Sequence, residues 1–303
     1  MVLILTPTSS PFSGTLRYAW IDRNGVERDL TYASSPELFV SKGSLGLGAP
    51  PVQIADEKLP WAAGSIVRQQ SVQPAKMTVP ITVVKGSMAA LVAAVDTLRD
   101  WFDTGNEASR TPGYFRVTRE DDTVRQRLSY YAGGLEGNLQ DGGPTHVTYA
   151  VDLVAPDPWP TDEADQSQTW SIADYPWNGS AFVGPVAVFN DGQLDAYPVW
   201  TVTGPAQGVA LFNTTTGKSW GWGGIVPAGQ SLTVDTRPAS QRFTYPVTFT
   251  DSGASAYASI VSTSEMWWLV PGVNGMLISI GALTDANTRV QLDYRQRFRG
   301  GLR

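Results

Sequence analysis

Short runs of alternating hydrophobic and polar residues make up the start of the chain. One such run, residues 16–21, is followed by Asn24-Gly25, a pair that favours a tight hairpin turn. Residues 65–84 hold two further runs, in which Pro74 and Pro80 limit where a ladder can be continuous. Between these regions, the segment KGSLGLGAPP (residues 42–51) is too rich in Gly and Pro for regular structure. The pattern predicts a hairpin, a loop and two more strands.

One segment changes to helical spacing. Ser87 is a suitable N-cap, apolar residues recur every three or four positions from Met88 to about Asp103, and Gly105 follows as a stop signal. This predicts a helix over residues 88–103. Its apolar stripe is typical of a helix that packs against a sheet.

After this helix the pattern returns to strands, at residues 113–119, 125–132 and 145–154. The sequence APDPWP (residues 155–160) and an acidic stretch follow, and we place a boundary there between two domains, 1–163 and 164–303. The second half has no helical period and predicts about eight short strands. The expected fold is mainly β: an N-terminal β-sandwich with one packed α-helix, then a C-terminal galectin-like or jelly-roll β-sandwich.

Composition narrows the functional classes. The 303 residues are 42% hydrophobic and 17% charged, which excludes a mostly disordered chain. The chain has no Cys, and its net charge of −6 argues against a nucleic-acid-binding surface. The one basic cluster, at residues 295–303, is a short tail. No secretory signal and no apolar stretch of about 20 residues is present, so we expect a protein made in the cytoplasm without membrane insertion.

Residues that could carry chemistry fall short of every motif tested. His146 is the only histidine and lies within a predicted strand, so neither a catalytic triad nor a zinc site is expected. Gly217-Lys218-Ser219 resembles the end of a phosphate-binding loop but lacks the earlier Gly. The acidic groups at residues 120–122 and 162–165 lie in turns, where charge runs are usually solvated. We therefore expect no catalytic residue, no cofactor and no metal.

Two pairs of tryptophans are the most conspicuous side chains. Trp220 and Trp222 alternate with glycines in SWGWGG, so in a strand both indoles project from one face. Exposed, they would form a platform for sugars or a partner; buried, they would fill the core, which is the commoner location of Trp. Trp267 and Trp268 are adjacent, so at most one of them can face the core.

After the predicted β-sandwich with one helix, six sequence features follow in order: APDPW (155–159), FNDGQLDAYPVWTVTGP (189–205), GKSWGW (217–222), AGQSLTVDT (228–236), WLVPGVN (268–274) and YRQRF (294–298). Together, over nearly the whole chain, they resemble the siphophage distal tail protein family, which is also described as minor tail proteins. The resemblance implies a virion protein of the tail tip, with an N-terminal domain that forms a ring, usually a hexamer, and a galectin-like C-terminal domain. The ring would join the tail tube to the baseplate hub and its lysin or fibre proteins, and DNA would pass through it without specific binding. The family carries no catalytic residues.

A ring of this kind closes by contacts between two different faces of each subunit, and unpaired strand edges suit such contacts. We expect the first hairpin and the loop at residues 42–51 to supply them. Deleting residues 43–50 should then leave a folded monomer that forms no ring. The residues predicted at this interface are Gly43, Ser44, Leu45, Gly46, Leu47 and Gly48.

Two other functions stay open from the sequence. The first is a carbohydrate-binding adsorption protein that uses the C-terminal β-sandwich, which requires Trp220 and Trp222 to be exposed. The second is a glycan-degrading enzyme, which requires two carboxylates facing each other in a cleft.

Overall fold

The computed structural model describes residues 16–59, 61, 63–102, 112–137, 145–171, 182–237, 247–250, 252–282 and 284–302. The chain divides into two compact units. The first comprises Met1–Thr161 together with Arg299–Arg303, and the second comprises Asp162–Phe298. The prediction of a mainly β protein is confirmed.

The described strands of the first unit form a seven-stranded antiparallel sheet in the order β2-β1-β7-β8-β9-β6-β3, and a separate two-stranded hairpin, β4-β5. A helix, α1, follows β6 along the chain. The bounds are β1 Arg17–Ile21, β2 Glu27–Asp29, β3 Leu38–Val40, β4 Val52–Lys58, β5 Ser65–Val72, β6 Ala75–Val84, α1 Met88–Trp101, β7 Gly113–Thr118, β8 Val124–Gly133 and β9 His146–Ala155.

The core of the first unit lies between the central strands and the helix. Along β6 and β9, alternate residues are buried, so one face of these paired strands is continuous and apolar. Leu91, Val95 and Leu98 of α1 are buried in the same cluster, so the second layer of the unit is a helix. Each such apolar side chain contributes about 1.5–3 kcal/mol by leaving water.

The helix begins where the sequence predicts it and ends slightly earlier. The Ser87 side chain accepts a hydrogen bond from the Ala90 N–H at 3.3 Å, which caps the first turn. At the other end, the Trp20 indole N–H donates to the Trp101 carbonyl at 2.8 Å, and the Phe102 ring stacks on Trp20 at 4.6 Å. Asp103, the last residue of the predicted helix, lies outside the described residues.

The second unit is a sandwich of two antiparallel sheets. The described strands give a five-stranded sheet in the order β10-β18-β12-β15-β16 and a four-stranded sheet in the order β11-β17-β13-β14. The bounds are β10 Gln166–Ser171, β11 Phe182–Asn190, β12 Val199–Thr203, β13 Ala206–Asn213, β14 Lys218–Val226, β15 Ser231–Asp235, β16 Val247–Phe249, β17 Gly272–Ala282 and β18 Arg289–Tyr294.

Tryptophans fill the core between these two sheets. Trp200 of β12 lies at the centre, with its ring 5.4 Å from that of Trp267 and 6.4 Å from that of Trp220. Aliphatic side chains from the inner faces of both sheets complete the same buried cluster. The interior of the second unit is therefore built around large aromatic side chains, which bury more apolar area per residue than aliphatic ones do.

Candidate assembly surfaces

The hairpin formed by β4 and β5 pairs with no other strand in the described part of the chain. Every residue of β4 is exposed, and so is every residue of β5 except Ser71, which is half-buried. A two-stranded hairpin alone is marginally stable in water, since it has no core of its own. We call this hairpin, residues 52–72, the arm.

A bulge in the arm gathers its large aliphatic side chains on one face. Alternation along β4 puts Val52 and Ile54 on the same side, and pairing places Val72 opposite Val52. The register then shifts by one residue between Ala55 and Asp56, so that Val67 pairs with Asp56 and comes to the side that carries Ile54. We call this the apolar face, because it holds four of the five large aliphatic side chains of β4 and β5; Asp56 and Gln70 lie on it as well.

This apolar face is open to solvent. Val52, Ile54, Val67 and Val72 are 45%, 56%, 58% and 42% exposed, respectively. Trp61, in the connection between the two strands, is 83% exposed. Exposed apolar groups that lie together in this way are characteristic of a surface that another protein covers.

The opposite face of the arm is mostly polar. It carries Gln53, Gln69 and an ion pair between Glu57 and Arg68, with Ile66 beside them. Both partners of the ion pair are more than half exposed, so the pair contributes about 0–1 kcal/mol. The arm is thus amphipathic, and both of its faces are exposed in the described chain.

The loop at residues 43–48, predicted as a ring interface, is packed on the first unit's sheet. Leu45 is exposed, but its backbone exchanges hydrogen bonds with Thr78 of β6 at 2.9 and 3.2 Å. Leu47 is buried in the core cluster. Gly46 has a φ of +74° and passes so close to β6 that an added Cβ would lie 1.9 Å from the Lys76 carbonyl oxygen.

A buried arginine of β8, Arg127, donates hydrogen bonds to two carbonyls of this loop. The guanidinium of Arg127, on β8, donates to the Gly46 carbonyl at 2.9 Å and to the Gly48 carbonyl at 2.7 Å. Burial lowers the pKa of Arg127 to about 10, while the negative charge of Asp157 opposes this shift. These contacts give a physical reason to expect that deletion of residues 43–50 would destabilise the first unit, because it would open the core at Leu47 and leave Arg127 without these two acceptors.

Trp220 and Trp222 both point into the sandwich core, where they are 1% and 2% exposed. They share one face of β14, as alternation predicts, and the indole N–H of Trp222 donates to the Ala256 carbonyl at 2.9 Å. An exposed platform for sugars or a partner is therefore ruled out at these two residues. Burial on the inner face of the sheet is favourable because it removes the apolar surface of both indoles from water.

The adjacent pair divides between the core and the surface. Trp267 is buried beside Trp200, whereas Trp268 is half-buried. The ammonium group of Lys218 lies 4.6 Å from the centre of the Trp268 ring and 3.7 Å from the Glu265 carboxylate. Lys218, the central residue of the imperfect phosphate-loop motif, thus lies over an aromatic ring.

A second exposed apolar surface lies on the outer face of the four-stranded sheet. Phe189 of β11 pairs with Val273 of β17, and these side chains are among the most exposed apolar residues of the second unit. Phe212 of β13 pairs with Leu277 on the same face. Alternation places small or apolar residues beside them, including Ala187 and Ala210. This surface, which we call the outer sheet face, suits contact with another protein more than with an ion.

The sites tested from the sequence for chemistry lie apart. His146 is exposed at the start of β9. Asp122 pairs with Arg17, and Asp165 pairs with Arg295, so these carboxylates serve surface ion pairs. Among the described residues, no three acidic or histidine side chains come together as a metal site would require, and no helix has the length and hydropathy to cross a membrane.

Solved structures of phage tail proteins are similar to this chain over nearly its whole length. The Dit protein of phage SPP1, described as a paradigm of the hub adsorption apparatus in phages infecting Gram-positive bacteria, matches with a TM-score of 0.60 and 14% identity, over 94% of this chain and 99% of that chain. Two structures of the phage P2 baseplate in its activated conformation, with Ca and with Sr, match with a TM-score of 0.55 and 6% identity, over 93% of this chain and 98% of theirs. The chain has a phage tail-hub fold.

Identities of 6% and 14% establish this shared fold and nothing finer. No protein-family model matches the sequence, and no curated protein matches it. The tail-hub fold was predicted from the order of short sequence features. The sequence predicted a strand at the start of residues 65–84, but it did not predict the pairing of β5 with β4 in a hairpin apart from the sheet; the available signal was the many polar residues of 52–58 and 65–72.

Proposed function

We propose that the protein is a structural component of a tailed-phage tail tip. In this proposal, copies of the chain form a ring, most simply a hexamer, at the distal end of the tail tube. The ring joins the tube to the baseplate hub with its lysin or fibre proteins, and DNA passes through it during genome ejection. The site of action is the tip of the virion tail, and the role is mechanical, with no catalytic step.

The observation that carries the proposal is the arm, a hairpin that pairs with no other described strand and exposes four aliphatic side chains on one face, on a tail-hub fold. Within one chain, this face leaves four large aliphatic side chains in water. Covering them against a neighbouring copy would stabilise a ring, because burial of apolar area is the main favourable term in protein association. Each copy would give its arm to one neighbour and receive an arm from the other, which is the head-to-tail arrangement that closes a ring.

We assign the ring contacts to the first unit and contacts with other tail proteins to the galectin-like second unit; the predicted boundary, 1–163 and 164–303, differs from these units in that residues 299–303 return to the first one. The outer sheet face, with Phe189 and Val273 exposed, supports the second assignment. The alternative of a carbohydrate-binding adsorption protein loses the support that Trp220 and Trp222 would have given, because both are buried.

The experiment compares two double variants of the full-length chain that add the same charge to opposite faces of the arm. The first is Ile54→Asp with Val67→Asp, on the apolar face. The second is Gln53→Asp with Gln69→Asp, on the polar face, and serves as the matched control. Light scattering coupled to size-exclusion chromatography gives the mass of each, and thermal unfolding reports whether the fold survives.

We expect the control to form the same ring as the unmodified chain and the apolar-face variant to be a folded monomer. The unfolding temperature should be nearly equal in all three, because the four substituted positions are exposed. Rings in the apolar-face variant would contradict the assignment of the arm. An unmodified protein that stays monomeric at high concentration would contradict the proposal that copies of the chain form a ring.

A further inference from the structure

The first unit is discontinuous in sequence, since residues 299–303 return to it after the second unit. Leu302 is completely buried and belongs to the same core cluster as Leu47. Its backbone N–H donates to the Leu47 carbonyl at 2.7 Å. This short segment is therefore part of the first unit's core.

Packing around Gly301 leaves no room for a side chain. A Cβ added at Gly301 would lie 2.3 Å from the Leu47 carbonyl oxygen and 2.5 Å from the Gly48 Cα, so only glycine fits there. The Gly301 carbonyl accepts a hydrogen bond from the Arg119 guanidinium at 2.9 Å. At Gly300, by contrast, the nearest atom to an added Cβ is the end of the Arg119 side chain at 3.9 Å.

Together these contacts satisfy three successive carbonyls of the loop at residues 43–48. Arg127 donates to those of Gly46 and Gly48, and the Leu302 N–H donates to that of Leu47. Leu47 is buried, and a buried backbone carbonyl that is left unpaired is costly. The loop conformation thus depends on a side chain of β8 on one hand and on the returning segment on the other.

The connection that leaves the first unit for the second is bonded to Gln126 of β8, the residue next to Arg127. Thr161, the last residue of the first stretch of this unit, exchanges backbone hydrogen bonds with Gln126 at 2.8 and 2.9 Å. Gln126 precedes Arg127 directly in the sequence. The chain therefore leaves the first unit at β8, whereas it re-enters at the loop, which Arg127 of the same strand also holds.

We propose that residues 299–302 are a strap that locks the loop at residues 43–48, and that the second unit is an insertion whose outgoing connection is anchored at β8 and whose returning connection is anchored at this loop and at Arg119. In this arrangement the shape of the loop is set by residues that follow the second unit in the chain. If the strap leaves its place, the loop loses the hydrogen bond and the packing that hold its conformation. The strap therefore couples the end of the chain to the loop surface of the first unit. The inference concerns the fold of a single chain and does not depend on ring formation.

The test uses neighbouring glycines in the full-length chain. Hydrogen–deuterium exchange is followed at the Leu45 amide, which is bonded to Thr78, and at the Leu302 amide. We expect Gly301→Ala to raise both exchange rates by about tenfold or more, since its Cβ would meet backbone atoms that cannot move aside without shifting the loop. Gly300→Ala should leave both rates unchanged.

A second pair separates the strap from general loss of structure. Leu302→Ala removes the buried anchor, whereas Leu45→Ala truncates an exposed leucine of the same loop. We expect faster exchange in the loop only for Leu302→Ala, with restoration in the volume-conserving variant Leu302→Met. Unchanged exchange in both Gly301→Ala and Leu302→Ala would overturn the proposal, as would equal effects at Gly300 and Gly301.

Discussion

Truncating one buried tryptophan distinguishes a core role from a binding role in the second unit. Trp222 is buried in the sandwich core, packs edge-on against Phe249 at 6.0 Å and donates its indole N–H to the Ala256 carbonyl. Trp61, by contrast, is 83% exposed. The same substitution, Trp→Ala, at these two positions therefore forms a matched pair.

The expected cost at Trp222 follows from its surroundings. Removing a buried Trp side chain costs about 3–5 kcal/mol in transfer and cavity terms. The lost indole donor also leaves the Ala256 carbonyl without this partner, which adds roughly 1 kcal/mol. A loss of this size lowers the unfolding temperature of the second unit by on the order of 10–20 °C, whereas Trp61→Ala should change stability by less than about 0.5 kcal/mol.

Calorimetry of the full-length variants measures the unfolding temperature after each substitution. It also shows whether the two units unfold in separate transitions or in one shared transition. A parallel measurement of binding to host wall glycans tests the platform reading directly. If Trp222→Ala kept the unfolding temperature of the unmodified chain, or if it removed saturable glycan binding without loss of stability, the burial argument would be refuted.

Two further predictions concern the first unit. Arg127→Met removes two hydrogen bonds from a charged donor, each contributing about 1.5–3 kcal/mol, and removal of a buried charge partly offsets this loss. We expect the free energy of unfolding in urea to fall by about 2 kcal/mol. An unchanged urea midpoint would contradict the role of Arg127 in holding the loop at residues 43–48. Asp22 is nearly buried, which opposes ionisation, but hydrogen bonds from the Val26 N–H and from Arg28 outweigh burial and lower its pKa. Ionised Asp22 therefore adds stability above about pH 4 that is lost as pH falls through the lowered pKa. Asp22→Asn should be less stable than the unmodified chain at pH 7, with the difference closing in unfolding curves at acid pH; a difference that stayed constant with pH would contradict the assignment.

The parts of the fold that depend on local pattern could be predicted from the sequence. Ser87 and the apolar spacing after it define a helix start, because capping and burial of one face act over a few residues. The alternation along β6 and β9 similarly determines which side chains enter the core. The order of short features across the second half predicted the tail-hub fold.

The features that depend on long-range packing could not be predicted in this way. Alternation puts Trp220 and Trp222 on one face but does not say whether that face is the inner or the outer one. The loop at residues 43–48 has the composition of a free connection, and its fixation comes from Arg127 and Leu302, both distant in sequence. The bulge that places Val67 beside Ile54 is likewise a property of strand pairing.

The central claim is that this chain assembles into a ring through its arm, and the mass of the unmodified protein in solution tests it most directly. Native mass spectrometry on the purified full-length chain, with negative-stain images of the same sample, gives the copy number and the shape. We expect the unmodified chain to form closed rings of about six copies, as cyclic head-to-tail contacts would produce. A chain that remains monomeric at high concentration, or that forms open filaments, would contradict it.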